Sequence, residues 1–315
     1  MSGARTGGGS AFSEKIRAKE SGALLYGITP PKERTDPEAL ARIAAKRTER
    51  INALAPDALV VYDIQDESAR TEEERPFAFF PTLDPLGYAD GQHAGVSCEK
   101  VVYHAVGKYG EEELAERIRD ADAKGHLSVF VGAASRSQPA RTRLDDAYRV
   151  RAAAGSRGLL GAVLIPERHR LKGDEHLRIL EKQRKGCSFF VSQCVCDVDL
   201  MKDFISDYYW AARDRGAERA YLVFTLSICG TRETLAFMGW LGIDVPRWMR
   251  NDLERSGDFL EESVRQNLRI ALELRDYCAA KGMAYGFNVE SVSPKKAEID
   301  ASVRLYEALR RELPR

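Results

Sequence analysis

Polar residues gather where the short apolar runs of this 315-residue chain end. The first run is followed by Thr29 and the second by Asp63, Gln65, Asp66 and Glu67. Later runs close on Tyr103 and His104, then on Glu167, Arg168 and His169. Gln193 and Asp197, Thr225 and Ser227, and finally Asn288 and Glu290 complete the series. Carboxylates, amides and imidazoles in one ring suit a planar polar heterocycle, whose ring N–H and C=O edges amides and carboxylates can read. Arg168, Lys172 and Lys182 would meet an anionic tail on such a ligand. Metal catalysis is less well served and no metal is expected, because the five histidines contain neither an H-x-H nor an H-E-x-x-H pair.

Bulk properties remove other classes. Lys plus Arg and Asp plus Glu number 48 each, so no net field draws the chain to nucleic acid or to an anionic membrane surface. No apolar run approaches the roughly 20 residues of a membrane span, and residues 1–20 read as a flexible tail lacking the apolar core of a signal peptide. A cytoplasmic protein is expected. The six cysteines do not form a disulfide framework in a chain of this length. Cys194 and Cys196, two apart on an extended run, should point to opposite faces, a poor grip for one metal ion.

The elements that must position these groups follow from the hydrophobic pattern. Runs at 23–28, 58–63, 100–106, 127–132, 160–165, 188–193, 220–225 and 284–289 are almost continuously apolar, as parallel strands covered on both faces require. Between them lie amphipathic segments at 37–54, 111–123, 174–184, 199–215, 233–241, 260–281 and 295–313. Their starts carry Asp, Glu, Ser or Pro, and several of their ends carry Lys-Gly. Eight strand–crossover units predict a (β/α)8 TIM barrel, a single domain over 21–315. The alternative, a doubly wound open sheet, lacks any G-x-G-x-x-G after a strand. In a barrel the polar strand ends converge on one mouth. A long connection at 65–95, charged and then rich in Pro and aromatics, predicts a functional lid or partner surface, and a short helix is expected within 241–258.

Several blocks taken together resemble the methylenetetrahydrofolate reductase family: YGITPPKE, PERH, LEKQRKGCSFFVSQCVCD, FTLSICGTRETLAFMGWLGIDVPRWM and a final Asn-x-Glu strand. The resemblance runs from about residue 24 to the last helix. Its most specific parts are 186–197 and 245–249. It implies a barrel enzyme that reduces 5,10-methylenetetrahydrofolate to 5-methyltetrahydrofolate with NAD(P)H, commonly through bound FAD, and that often forms a homo-oligomer. On this resemblance Gln193 matches a glutamine that binds the pterin, and His169 a histidine of the flavin site. Glu175 and Lys182 match groups that hold the flavin's ribityl and phosphate.

Two departures stand out. The family's first strand ends with a glutamate that donates a proton to the folate, and Gly27 occupies that slot here. Its fourth strand ends Arg-Gly-Asp beside the flavin, where this chain has Gly132-Ala133-Ala134. Opening the bridging methylene needs a proton on the departing nitrogen, so another acid must serve or the reaction must differ. Glu290 and Asp66 are the expected replacements, with Asp63, Gln65, Asn288 and Thr29 as substrate-binding candidates. Arg168, with the strand-four end at Ala134, is assigned to cofactor binding. Three functions remain open: NAD(P)H-dependent reduction of the folate, through FAD or directly; folate-dependent one-carbon transfer to another substrate; and a non-catalytic folate- or flavin-binding subunit.

Overall fold

A computed structural model describes residues 11–68, 71–133 and 139–313. Eight parallel strands close into a barrel in sequence order: β1 (Ala23–Ile28), β2 (Ala58–Val61), β3 (Glu99–Ala105), β4 (Leu127–Val131), β5 (Leu160–Leu164), β6 (Cys187–Cys194), β7 (Tyr221–Ile228) and β8 (Tyr285–Ser291). Closure is made by β8 on β1, with Ala23 opposite Gly286 and Tyr26 opposite Val289. The expected (β/α)8 TIM barrel is therefore the observed fold.

The continuous apolar character of the strands has a direct cause, since both faces are buried. Leu25, Val60, Val101, Val129, Val191 and Val223 fill the interior, whereas Leu24, Leu59, Val102, Phe130 and Leu222 face the helices. The helical layer comprises α2 (Pro37–Leu54), α4 (Glu111–Ala123), α5 (Leu144–Ala153), α6 (Pro166–Lys172), α7 (Glu175–Arg184), α8 (Val198–Asp214), α9 (Arg232–Trp240), α10 (Arg247–Arg255), α11 (Phe259–Ala280) and α12 (Lys296–Glu312). Local chemistry sets their starts. The Asp36 carboxylate accepts from the backbone of Glu38 and Ala39, with Pro37 in the first helical turn, and Asp197, Thr231 and Asp258 cap α8, α9 and α11 in the same way. Gly173, at φ 65°, ends α6 in a left-handed turn and reverses the chain into α7.

Residues 11–20, expected to belong to a flexible tail, instead carry the helix α1 (Phe12–Ala18). It closes the N-terminal end of the barrel. Phe12 is fully buried, edge-on to Phe189 at 5.5 Å and to Tyr221 at 5.9 Å. Ser13 bonds Glu99 through both its backbone N–H and its hydroxyl, each at 2.7 Å, and Lys15 pairs with Asp57 at 3.1 Å. Only two apolar residues of this segment insert into the core, too few to stand out against its charged and glycine-rich surroundings. The long connection at 65–95 also contains an element, α3 (Pro85–Asp90), capped by Asp84. Among the described residues, no helix is long and apolar enough to cross a membrane.

Candidate functional site

With the N-terminal end plugged, the interior opens at the C-terminal ends of the strands. Alternation along β1 turns Ala23, Leu25 and then position 27 inward. A Cβ at Gly27 would lie 3.0 Å from Cε2 of Tyr62, 3.2 Å from Oδ1 of Asn288 and 3.2 Å from Cβ of Glu290. The space a side chain would need at Gly27 is thus taken by three residues from the neighbouring strands. Asn288 and Glu290, two apart on β8, share the inner face, and Tyr62 follows β2 directly.

These groups form a connected polar set. Asn288 Nδ2 donates to the Tyr62 hydroxyl at 2.7 Å and lies 3.4 Å from Thr225 Oγ1. The Tyr62 hydroxyl in turn hydrogen-bonds the Glu290 carboxyl. Tyr103 packs edge-on against Tyr62 at 4.8 Å. Burial raises the Glu290 pKa from 4.5 to about 7, against the opposing effect of the Tyr62 hydrogen bond, which favours the carboxylate. Burial and then the Glu290 charge push Tyr62 and Tyr103 well above their ordinary values, so both remain protonated phenols near neutrality. Asn288 Oδ1 and Ser227 Oγ are buried and have no hydrogen-bond partner among the described residues. Both belong to inward-facing positions of adjacent strands, with Ser227 paired to Glu290 in register. The result is a half-buried carboxyl poised to give or take a proton near neutrality, beside unsatisfied polar atoms and an aromatic wall.

The other expected residues divide sharply. Asp66 is exposed, and hydrogen bonds from Ser68 Oγ (2.6 Å) and Ser68 N (2.9 Å) lower its pKa. It is held as a carboxylate, and its environment does not suit a proton donor. Asp63 turns out of the barrel and accepts from Ala105 N (2.8 Å), Tyr109 Oη (2.8 Å) and Lys108 Nζ (2.5 Å). Its oxygens fasten the ends of β2 and β3 together. Gln65 reaches across to the end of β4, donating to the Gly132 carbonyl at 3.0 Å. Gln193 is half-buried on the inner-face register of β6 and donates to the Leu241 carbonyl at 3.0 Å. Thr29 is exposed at the rim, where its carbonyl accepts from Arg47 at 2.8 Å. Ala134 lies outside the described residues.

The positions matched to a flavin site lie in the helical layer. Glu175 is completely buried, accepting from Ile165 N at 3.2 Å and paired with Arg178 at 3.3 Å. Lys182 is buried and donates to the Val163 carbonyl at 2.7 Å. Burial lowers its pKa to about 8, with Glu175 opposing. His169 bonds Asp207 on α8 at 3.1 Å, and Arg168 is half-buried on α6. Glu175 and Lys182 therefore hold α7 against β5, and neither is accessible to a ribityl chain or a phosphate. These residues do not fit a bound flavin.

Part of the long connection after β2 forms a strap held to α9 and to the chain just after β1. The connection leaves β2 and reaches α9, where Glu73 O accepts from Trp240 Nε1 at 3.1 Å and Phe77 packs on Phe237 at 5.3 Å. Arg75 lies over the rings of Phe79, Phe237 and Trp240 at 5.1–5.4 Å. The chain then returns to the end of β1, with Glu33 N bonded to Pro81 O at 3.0 Å and Leu83 N to Pro31 O at 2.8 Å. Tyr62 was the residue sequence reasoning missed. Its signal was available, because it continues the inward series of Ala58 and Val60 next to a glycine. One other expectation fails. The thiols of Cys194 and Cys196 lie 3.9 Å apart on the same side, because β6 ends at Cys194 and its pairing with β7 slips between Val191 and Cys194.

No protein-family model matches the chain, nor does any curated protein. Among solved structures, a Clostridium thermocellum protein that binds two copies of 5-methyl-5,6,7,8-tetrahydrofolic acid is 40% identical. The alignment covers 96% of this chain and 99% of that one, with a TM-score of 0.86. The oxygenating constituent of the Pseudomonas putida 3,6-diketocamphane monooxygenase, in complex with FMN, is 10% identical over 93% of this chain and 99% of that one. Its TM-score of 0.58 shows a shared fold alone. At 40% identity over nearly the full length of both chains, the protein belongs to the same family of (β/α)8 barrels as the Clostridium thermocellum protein.

Proposed function

We propose that the barrel mouth binds a reduced folate and reduces 5,10-methylenetetrahydrofolate to 5-methyltetrahydrofolate, with hydride delivered directly from NADH or NADPH. The observation that carries this reading is the Glu290 carboxyl, filling the space at Gly27 with its pKa raised to about 7. The relative's ligand, 5-methyltetrahydrofolic acid, is the product of that reaction, which supports a folate as the substrate class.

In this mechanism protonated Glu290 gives its proton to the departing folate nitrogen, the C–N bond of the bridge breaks and an N-methylene iminium remains. A hydride from the nicotinamide adds to the methylene carbon, leaving the methyl product and oxidised nicotinamide. Tyr62 orients the carboxyl and stabilises it once the proton has left, and Asn288 fixes Tyr62. Unpartnered Asn288 Oδ1 and Ser227 Oγ offer acceptors to the N–H edge of the pterin. No step is assigned to a flavin, because Glu175 and Lys182 are spent on packing.

The test is oxidation of NADH or NADPH by the purified full-length protein on addition of methylenetetrahydrofolate, with and without FAD, alongside calorimetric titration with 5-methyltetrahydrofolate. Turnover without added flavin and tight folate binding are expected. Folate binding without nicotinamide oxidation under any of these conditions would overturn the reductase reading and leave a folate-binding barrel. Absence of folate binding would overturn both.

A further inference from the structure

A second cluster lies outside the barrel, where α6, α7 and α8 meet. His169 comes from α6, His176 from the first turn of α7 and Asp207 from α8. Each can offer one donor atom, and the three donor atoms lie within 4.8 Å of one another. His169 Nε2 and Asp207 Oδ2 are 3.1 Å apart, close to the roughly 3–3.5 Å that separates two donors on one ion with bonds near 2.1 Å. The two imidazoles stand edge to face at 5.4 Å. His169 is buried, and Nδ1 of both His169 and His176 has no hydrogen-bond partner among the described residues. The backbone is shaped for this meeting, since the left-handed turn at Gly173 folds α7 back on α6 and brings a histidine seven positions downstream beside the first.

The cluster also opens to solvent on a side that favours cations. His169 and Asp207 line a groove of about 770 Å³, together with Asp197, Asp199, Asp203 and Trp248. Asp199, Asp203 and Asp207 recur every fourth residue at the start and middle of α8, so one face of that helix is a carboxylate stripe. Arg170 at the edge is engaged by Asp197 and Asp244.

We propose that His169, His176 and Asp207 form a binding site for a divalent transition-metal ion of the zinc class. Two imidazoles and one carboxylate are a ligand set that zinc accepts, and the remaining coordination position faces the groove and takes water. The ion ties α6, α7 and α8 together on the flank of the barrel. The site does not depend on the folate reading, because none of its ligands reaches the mouth.

The experiment uses the full-length protein, stripped with a chelator and titrated calorimetrically with Zn²⁺ alone, with Co²⁺ as a spectroscopic substitute. One ion per chain is expected, with visible d–d bands for Co²⁺ and a rise in Tm on Zn²⁺ addition. His176→Ala and Asp207→Ala, both at positions with solvent access, should each weaken Zn²⁺ at least about tenfold while leaving the metal-free Tm close to wild type. Unchanged affinity in both variants, no binding at all, or an intense thiolate-to-cobalt charge-transfer band pointing to Cys194 and Cys196 would each overturn the proposal.

Discussion

Replacing Glu290 with Gln separates a catalytic carboxyl from a structural one, because the two roles predict opposite changes in stability. The folded-state pKa of Glu290 is raised from 4.5 to about 7. Between those values the folded protein keeps a proton that the unfolded chain has lost, so stability falls as pH rises from about 4.5 to about 7 and stays reduced above it. Across that interval, at about 1.4 kcal/mol per pH unit, the loss reaches at most about 3 kcal/mol. Contact with solvent at the mouth brings the expected figure to about 1–3 kcal/mol. Glutamine is neutral at every pH and keeps the hydrogen-bonding shape. Glu290→Gln should therefore be more stable than wild type at pH 8 by about 1–3 kcal/mol, with the difference vanishing near pH 4.

Activity should move the other way. Loss of a general acid lowers kcat by roughly 10²–10⁴. In wild type kcat should fall as pH rises through about 7, since only the protonated carboxyl donates, and that falling limb should disappear in the variant. The assays are urea unfolding at pH 4 and pH 8 and a kcat–pH profile with saturating methylenetetrahydrofolate. Retention of kcat within a few-fold, or destabilisation at pH 8, would refute the assignment of Glu290 as the acid.

Three further predictions follow from the same geometry. Tyr62→Phe removes the hydrogen bond that favours the Glu290 carboxylate, so the falling limb of the kcat–pH profile should move to higher pH, whereas a purely structural Tyr62 would leave its midpoint in place. Phe12→Ala empties a fully buried site at the closed end of the barrel and should cost about 3–5 kcal/mol in urea unfolding. If residues 11–20 were a loose tail it would cost nothing. Arg75→Ala releases the strap from the rings of Phe79, Phe237 and Trp240, and steady-state kinetics should show a larger rise in KM than fall in kcat.

What the sequence disclosed and what it withheld divide along physical lines. The eight strands were legible because burial on both faces leaves a continuous apolar run, which the amphipathic helices between them cannot imitate. The helix α5 escaped because charged Asp145, Asp146, Arg149 and Arg151 interrupt it and only Ala147 and Tyr148 are buried, too few to make an apolar stripe. At the site, strand-end position located Asn288 and Glu290, yet the same rule also gathered Asp63. Alternation then turns Asp63 outward onto Lys108 and Tyr109, and a strand end names two successive residues without saying which faces in. Glu175 and Lys182 show the limit of matching by resemblance, because a matching residue type says nothing of burial, and here both side chains pack α7 against the barrel. The histidine–aspartate cluster was invisible for another reason. Its members sit seven and then thirty-one positions apart and meet only through a reversal at Gly173 and the docking of a third helix.

If Glu290 is the proton donor, its relation to Gly27 is an exchange of position rather than a loss. An acidic side chain at position 27 would have to start from a Cβ only 3.0 Å from the Tyr62 ring and 3.2 Å from Glu290 Cβ, tight enough that these neighbours would have to shift by a few tenths of an ångström. Two carboxyls placed that near each other would also resist joint ionisation. The glycine leaves the room that Glu290 and Tyr62 occupy, and an acid there would crowd both. On that reading the proton donor sits on β8, one strand around the rim from β1.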